Sequence, residues 1–373
     1  MSSRIALSEP LLAGNERRYL DECITTNFVS SVGPFVDRFE REFAAFVGAK
    51  YAVACASGTA ALHVAFRLLG IGPGDEVLAP SLTFVASVNP IAYERATPVL
   101  VDSELETWNA DPALVVEYIE TAARAGRRLP RAVEVVHLLG HPANIEPVLD
   151  VCARHAIPVI EDAAEALGAR YRGGRFDGRQ VGTIGRIGCF SFNGNKVMTT
   201  GGGGMIVTDD EALARRAKHL TTQARLPGPA YRHDEVGYNY RLTNVAAALG
   251  CAQLEQLADF LAAKQRIAAR YDAALADRFI LPPRARWAAS TCWLYSIRAG
   301  AARDAVLAKL AEHQIEARPI WTPVHTMPMY RDAPRLGGGR AEQLAVEALS
   351  IPCSTGLRAD DQQRVIDVLN GDG

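Results

Sequence analysis

Lys196 is the residue whose surroundings say most about chemistry. It lies in Ser191-Phe192-Asn193-Gly194-Asn195-Lys196, ahead of Val197-Met198-Thr199-Thr200 and four glycines, Gly201 to Gly204. Upstream, Glu161-Asp162-Ala163-Ala164-Glu165 closes an apolar, strand-like run. A lysine in a tight loop and a carboxylate at a strand end are the two groups that pyridoxal phosphate chemistry needs. The amine forms a Schiff base with the aldehyde. The carboxylate holds the pyridine nitrogen protonated, so that the ring accepts electrons. The plain alternative is a lysine in a surface loop, and local context alone leaves the two readings level.

The lysine count narrows the field. Among 40 Lys+Arg residues only Lys50, Lys196, Lys218, Lys264 and Lys309 are lysines. Lys218, Lys264 and Lys309 fall in Ala/Leu/Arg-rich amphipathic segments, where a lysine belongs on the solvated face. Lys50 sits at a helix-to-strand junction. Lys196 alone is set among Asn, Gly and Thr.

Other groups fit a phosphorylated, planar ligand. Ala56-Ser57-Gly58-Thr59 joins a strand to a helix, so Gly58 and Thr59 offer backbone N–H groups at a positive helix end. An ordinary Ser/Gly/Thr helix cap has the same look. Phe84 follows a strand, where a ring stacks on a cofactor or fills core. Asp162 needs a hydrogen-bonding or cationic partner at that depth; a pyridinium N–H would serve, as would an arginine such as Arg170. His137 and His141 have metal-ligand spacing for a helix. Their segment reads as strand then turn and lacks a third ligand, so no metal is expected. The glycine run lacks the spacing of a dinucleotide or phosphate loop and reads as a tight bend behind the lysine.

The elements that must place these groups alternate. Apolar runs at Tyr51 to Cys55, Glu76 to Pro80, Pro98 to Asp102, Val133 to Leu138, Pro158 to Asp162, Gly188 to Phe192 and Met205 to Thr208 read as strands. Gly14 to Thr25, Pro34 to Phe46, Thr59 to Leu69 and Asn144 to His155 read as helices. This alternation predicts an α/β fold, with a mostly parallel sheet between helices. Its ligand belongs beyond the carboxyl ends of the strands, where Ser57, Asp162 and Ser191 fall. A long helical stretch from Thr243 to about Leu275 leads to a smaller domain. There Cys292 to Ala299 reads as strand, and Arg303 to His313, Ala341 to Leu349 and Ala359 to Leu369 read as helices. The expected division is 1–250 and 251–373.

Composition excludes some classes. A net charge of −2 gives no electrostatic case for nucleic acid or a membrane surface. Seven scattered cysteines, none in a CxxC pair, fit a reducing cytoplasm. No signal peptide is expected from the first residues, and no apolar run reaches the ~18 residues of a membrane span.

Read in order, ASGTAAL (56–62), PSLTF (80–84), EDAAEALG (161–168), GCFSFNGNK (188–196), TTGGGGM (199–205) and GYNYRLTN (237–244) resemble the DegT/DnrJ/EryC1/StrS sugar aminotransferases. The resemblance covers nearly the whole chain. It implies the aspartate aminotransferase-like fold type I, with a smaller α+β C-terminal domain, and pyridoxal 5′-phosphate as cofactor. It implies Lys196 as the Schiff-base lysine, Asp162 at the pyridine nitrogen, Gly58, Thr59 and Ser191 at the phosphate, and Phe84 stacked on the ring. Asn239 matches the asparagine that reaches the neighbouring subunit's phosphate, which implies a homodimer with its sites at the interface. Glu165 departs from the glutamine that many members carry near the phenolic oxygen, and Asn193-Gly194-Asn195 also departs from the commoner pattern. Trp321 and His325, in Arg318 to His325, match the segment lining the substrate site. The implied donor is L-glutamate, leaving pyridoxamine phosphate as the intermediate form. The implied acceptor is a nucleotide-linked 4-keto-6-deoxy sugar; the chain looks like the branch acting on UDP-linked N-acetylhexosamines, with GDP- and dTDP-linked sugars as alternatives. A dehydratase of the family would carry histidine at position 196. A nicotinamide enzyme would need GxGxxG after the first strand. A non-catalytic binding regulator has no need of the lysine.

Overall fold

Buried apolar runs of four or five residues become the strands of one large sheet in this computed structural model, which describes residues 4–371. In chain order the strands are β1 (Tyr51–Cys55), β2 (Glu76–Pro80), β3 (Thr97–Val101), β4 (Ala132–Val136), β5 (Val159–Asp162), a short β6 (Arg170–Tyr171), β7 (Ile187–Ser191) and β8 (Gly204–Thr208). The C-terminal part adds β9 (Ala288–Ala289), β10 (Tyr295–Arg298), β11 (Arg318–Pro319), β12 (Arg335–Leu336) and β13 (Ala348–Ile351). The large sheet runs β1-β8-β7-β5-β4-β2-β3-β12. Its pairings from β7 to β12 are parallel, and β8 runs antiparallel to both of its neighbours. This is the mostly parallel α/β sheet expected.

Successive side chains on these strands point to opposite faces, and both faces are covered. Val159 and Leu78 face one apolar cluster, while Ile160, Val77 and Ala79 face the other. That is why the strands read as unbroken apolar runs rather than alternating ones. On one face Phe39 and Phe43 of the Pro34–Val47 helix meet Phe190 and Phe192 edge-on, with ring centroids 5.1–5.2 Å apart. On the other lies the Gly58–Leu68 helix, packed over β7 and β8. Phe43 is fully buried, so Phe43→Ala would cost about 3–5 kcal/mol.

A second, three-stranded antiparallel sheet, β10-β13-β11, lies in the C-terminal part. The chain also crosses between the two sheets. β12 extends the large sheet beside β3, and Ile5 pairs with Ile315.

Several local expectations are corrected. The helix expected over Ala341 to Leu349 ends at Glu347, and Ala348–Ile351 becomes the central strand of the small sheet. Backbone pairing on both sides outweighs the helical preference of Ala and Leu. The stretch from Thr243 to Leu275 is two helices, Asn244–Glu255 and Leu257–Leu275, meeting at Gln256. Lys264 is not on a solvated face. It is 2% exposed, and its ammonium donates to the carbonyls of Trp293 (2.7 Å) and Cys353 (2.5 Å). The Pro112–Arg124 helix, capped by Asp111 and opened by Pro112, was not anticipated.

Among the described residues no helix is long and apolar enough to cross a membrane.

Candidate active site

The carboxyl ends of β1, β5 and β7 open on a cavity of about 250 Å³, lined by Ser57, Gly58, Thr59, Phe84, Asp162, Glu165, Ser191, Lys196 and Trp321. Of the sequence-predicted site residues, only Asn239 and His325 lie outside it.

One end of the cavity is built by a strand-to-helix turn. Ser57 ends the extended backbone, and its hydroxyl accepts from the Ala60 N–H at 3.0 Å. The Gly58 and Thr59 amides therefore stand at the open, positive end of an 11-residue helix. The cradle is tight. A Cβ on Gly58 would come within 2.8 Å of Ser191 Cβ, and one on Gly204 within 2.3 Å of the Ser57 carbonyl oxygen. The glycines let two chain segments close around a space an anion can fill, and this donor set fits the phosphate of pyridoxal phosphate.

Another part of the cavity wall is set by Asp162, the last residue of β5. One carboxylate oxygen accepts from Ser87 Oγ at 2.8 Å and the other from the Ala164 N–H at 2.9 Å. Arg170 is not its partner; its guanidinium donates to the Gly178 carbonyl. The neighbouring Glu161 points to the opposite face. It takes N–H donors from Gly182, Ile184 and Gly185 and faces His137 Nε2 at 2.9 Å. His137 Nδ1 accepts from the Ala143 N–H. The two histidines considered for a metal are thus engaged elsewhere, His141 with the Pro142 carbonyl and the Ala285 N–H.

Glu165 lines the cavity 5% exposed. One oxygen accepts from the Leu139 N–H at 2.7 Å, which the left-handed backbone at Leu139 (φ 54°) aims at it. Burial pushes the Glu165 carboxyl up to about 7; Lys196 and the Leu139 N–H pull it down, while Asp162 pushes it up. Burial also lowers Lys196 below the ordinary lysine value, opposed by Glu165 and Asp162. An amine so shifted spends more time neutral, which a nucleophile and proton carrier requires.

Sequence reasoning missed Ser87, Leu139 and Trp293. Trp293 lies under the lysine: Lys196 Nζ is 3.7 Å from its ring centroid. The Trp293 indole N–H holds the Asn195 carbonyl at 2.7 Å, and Ser8 Oγ holds the same carbonyl at 2.9 Å. An aromatic row continues from Trp293 to Trp321 (centroids 6.2 Å) and on to Phe84 (5.3 Å). Phe84 is 51% exposed at the cavity wall, a placement open to stacking.

His325 sits behind this wall. Its Nδ1 meets Ser81 Oγ and its Nε2 meets Glu342 at 2.8 Å. Asn239 is exposed, and its sequence neighbours Tyr238 and Tyr240 stack on each other. That segment lies against β1, where the Ala56 N–H donates to the Tyr240 carbonyl at 2.7 Å.

Comparison with known proteins gives one consistent answer. The chain is 42% identical to GDP-perosamine synthase of Caulobacter vibrioides over 98% of each chain, and 38% identical to that of Vibrio cholerae over 97% of each. Its fold matches the crystal structure of S. venezuelae DesV at a TM-score of 0.87, with 34% identity over 96% of this chain and 94% of that one. The model of the DegT/DnrJ/EryC1/StrS aminotransferase family matches residues 10–370, and the chain belongs to that family.

Proposed function

We propose that the protein transfers an amino group from L-glutamate to the C4 keto carbon of a nucleotide-linked 4-keto-6-deoxy sugar, working as a homodimer. The aminotransferase class and the cofactor, pyridoxal phosphate, come with the family. The observation that carries the reading is one cavity holding Lys196, Asp162 and the Gly58–Thr59 helix end together. Relatives named GDP-perosamine synthase, at 38–42% identity, favour a GDP-linked acceptor. The sequence resemblance favours a UDP-linked N-acetylhexosamine as the second reading.

Bound here, the cofactor supplies an electron sink that makes the amino-bearing carbon acidic. The chain supplies the rest. The Gly58 and Thr59 amides and the helix dipole hold the phosphate. Asp162, oriented by Ser87 and Ala164, meets the pyridine nitrogen and favours its protonated form. Lys196 would hold the cofactor through its amine. With that amine free, it would take the proton from the amino-bearing carbon in one half-reaction and return a proton to sugar C4 in the other. Ser191 would join the phosphate contacts and Phe84 would cover the ring. Glu165 would serve the phenolic oxygen, and Trp321 would border the acceptor. His325 supports the wall through Ser81 rather than touching the acceptor. Asn239, exposed on one chain, extends toward the partner's phosphate.

The test is a panel of GDP-, UDP- and dTDP-linked 4-keto-6-deoxy sugars, assayed with glutamate for 2-oxoglutarate release. Turnover with one nucleotide class at least tenfold above the others supports the reading and names the acceptor. Turnover with simple 2-oxo acids alone would overturn it.

A further inference from the structure

We infer that Trp293 is a positioning residue for Lys196: its indole face is the seat of the lysine amine whenever that amine is not covalently engaged. The inference rests on Lys196 being the cofactor lysine, and it adds what holds that amine in place.

The first observation is the seat itself. Lys196 Nζ stands 3.7 Å from the Trp293 ring centroid, the arrangement in which an aromatic quadrupole attracts a cation. A desolvated site strengthens that attraction, and Trp293 is 1% exposed.

The second observation is that this tryptophan is held by three contacts, two on its ring and one on its main chain. Its N–H is committed to the Asn195 carbonyl, one residue before the lysine. Its own carbonyl takes the ammonium of buried Lys264, which also binds Cys353. The ring also stacks on Trp321 at an interplanar angle of 27°. Lys264 is the only buried lysine among the described residues, and it acts on the main chain of the residue that seats Lys196. A side chain that merely filled space would need none of these anchors.

The consequence for chemistry follows from the two forces on the amine. Burial disfavours the ammonium, while the Trp293 face favours it, alongside the two acids that face it, Glu165 and Asp162. The ring therefore holds a displaced Lys196 cavity-side as the ammonium, ready to lose its proton in place. A lysine on a flexible four-carbon stem would otherwise search many rotamers before each proton transfer.

The test titrates Lys196 in the full-length chain before cofactor is added, by pH-dependent labelling mapped to its peptide, and then measures the rate of covalent capture of pyridoxal phosphate. Trp293→Leu should lower the apparent pKa of Lys196 by about one unit and, once the larger neutral fraction is allowed for, slow capture per neutral amine roughly tenfold through lost positioning. Trp293→Phe, which keeps a ring face and loses the Asn195 bond, should retain most of both. Should Trp293→Leu fail to fold, replacing tryptophan biosynthetically with a fluorinated analogue weakens the ring quadrupole at constant shape, and the same fall in pKa is expected. Unchanged Lys196 titration in the folded Leu variant or the fluorinated protein would overturn the inference, as would equal losses in the Phe and Leu variants. Failure of the wild-type chain to capture the cofactor at all would instead refute the proposed function.

Discussion

Glu165→Gln separates charge from shape at the cavity floor. Glutamine keeps the volume and an acceptor for the Leu139 N–H, so the variant removes only the ionisable proton. In the folded chain Glu165 is pushed from the ordinary 4.5 to about 7, chiefly by burial. At about 1.4 kcal/mol per pH unit, that gap corresponds to about 3 kcal/mol. The sign follows from proton binding. Between pH 4.5 and 7 the folded chain holds a proton that the unfolded chain has released. Stability contributed at this site is therefore fully present below about pH 4.5, falls as pH rises toward 7, and is flat above. The glutamine variant lacks that fall. Relative to wild type it should gain about 3 kcal/mol between pH 4.5 and pH 8, measured by urea unfolding of the chain without added cofactor. In the loaded enzyme, a limb near neutral pH in the wild-type rate profile should disappear in the variant. Parallel stability–pH curves for the two proteins would refute the reasoning, because Glu165 would then titrate alike in both states.

Three further perturbations follow from the same geometry. Asp162→Asn keeps an acceptor for Ser87 but removes the charge, and should lower turnover about 10²–10³-fold with the fold intact; steady-state rates within a few-fold of wild type would contradict the assigned role. Gly58→Ala places a methyl 2.8 Å from Ser191 Cβ and should weaken cofactor binding about tenfold, or about 1.4 kcal/mol; a spectroscopic titration giving unchanged affinity would move the phosphate elsewhere. Glu134 is fully enclosed in β4, neither carboxyl oxygen has a hydrogen-bond partner, and burial holds its pKa well above the ordinary carboxylate range. Glu134→Met should therefore stabilise the protein at pH 8 by about 1–3 kcal/mol; a lower urea midpoint for the variant would show that the carboxyl has a stabilising partner.

How much of this was legible in the sequence depended on how local each signal was. Lys196 stood out because it is one of five lysines and sits among turn-forming residues. Asp162 stood out because a charge ended an apolar run. Gly58 was visible as a glycine at a strand-to-helix turn, where an ordinary helix cap looks the same and only the assembled cavity tells them apart. The β strands were legible because burial on both faces leaves long apolar runs. Groups that act through distant contacts were not legible. Trp293 lies in a strand-like segment where tryptophan reads as core, and only the folded chain brings it under Lys196. Lys264 looks like a surface residue of an amphipathic helix until its ammonium is found on two carbonyls. The left-handed turn at Leu139 leaves no trace in a leucine. His325 reads as a site residue from its neighbours in the chain, yet folding turns it toward Ser81 and Glu342.

The most direct test of the account asks which amine holds the cofactor. Purified protein incubated with pyridoxal phosphate should absorb in the near-visible and lose that band on borohydride reduction. Peptide mapping should then find the cofactor fixed to Lys196, while Lys196→Ala carries none. A reduced adduct on Lys264 or any other lysine, or no adduct in the wild-type chain, would contradict it.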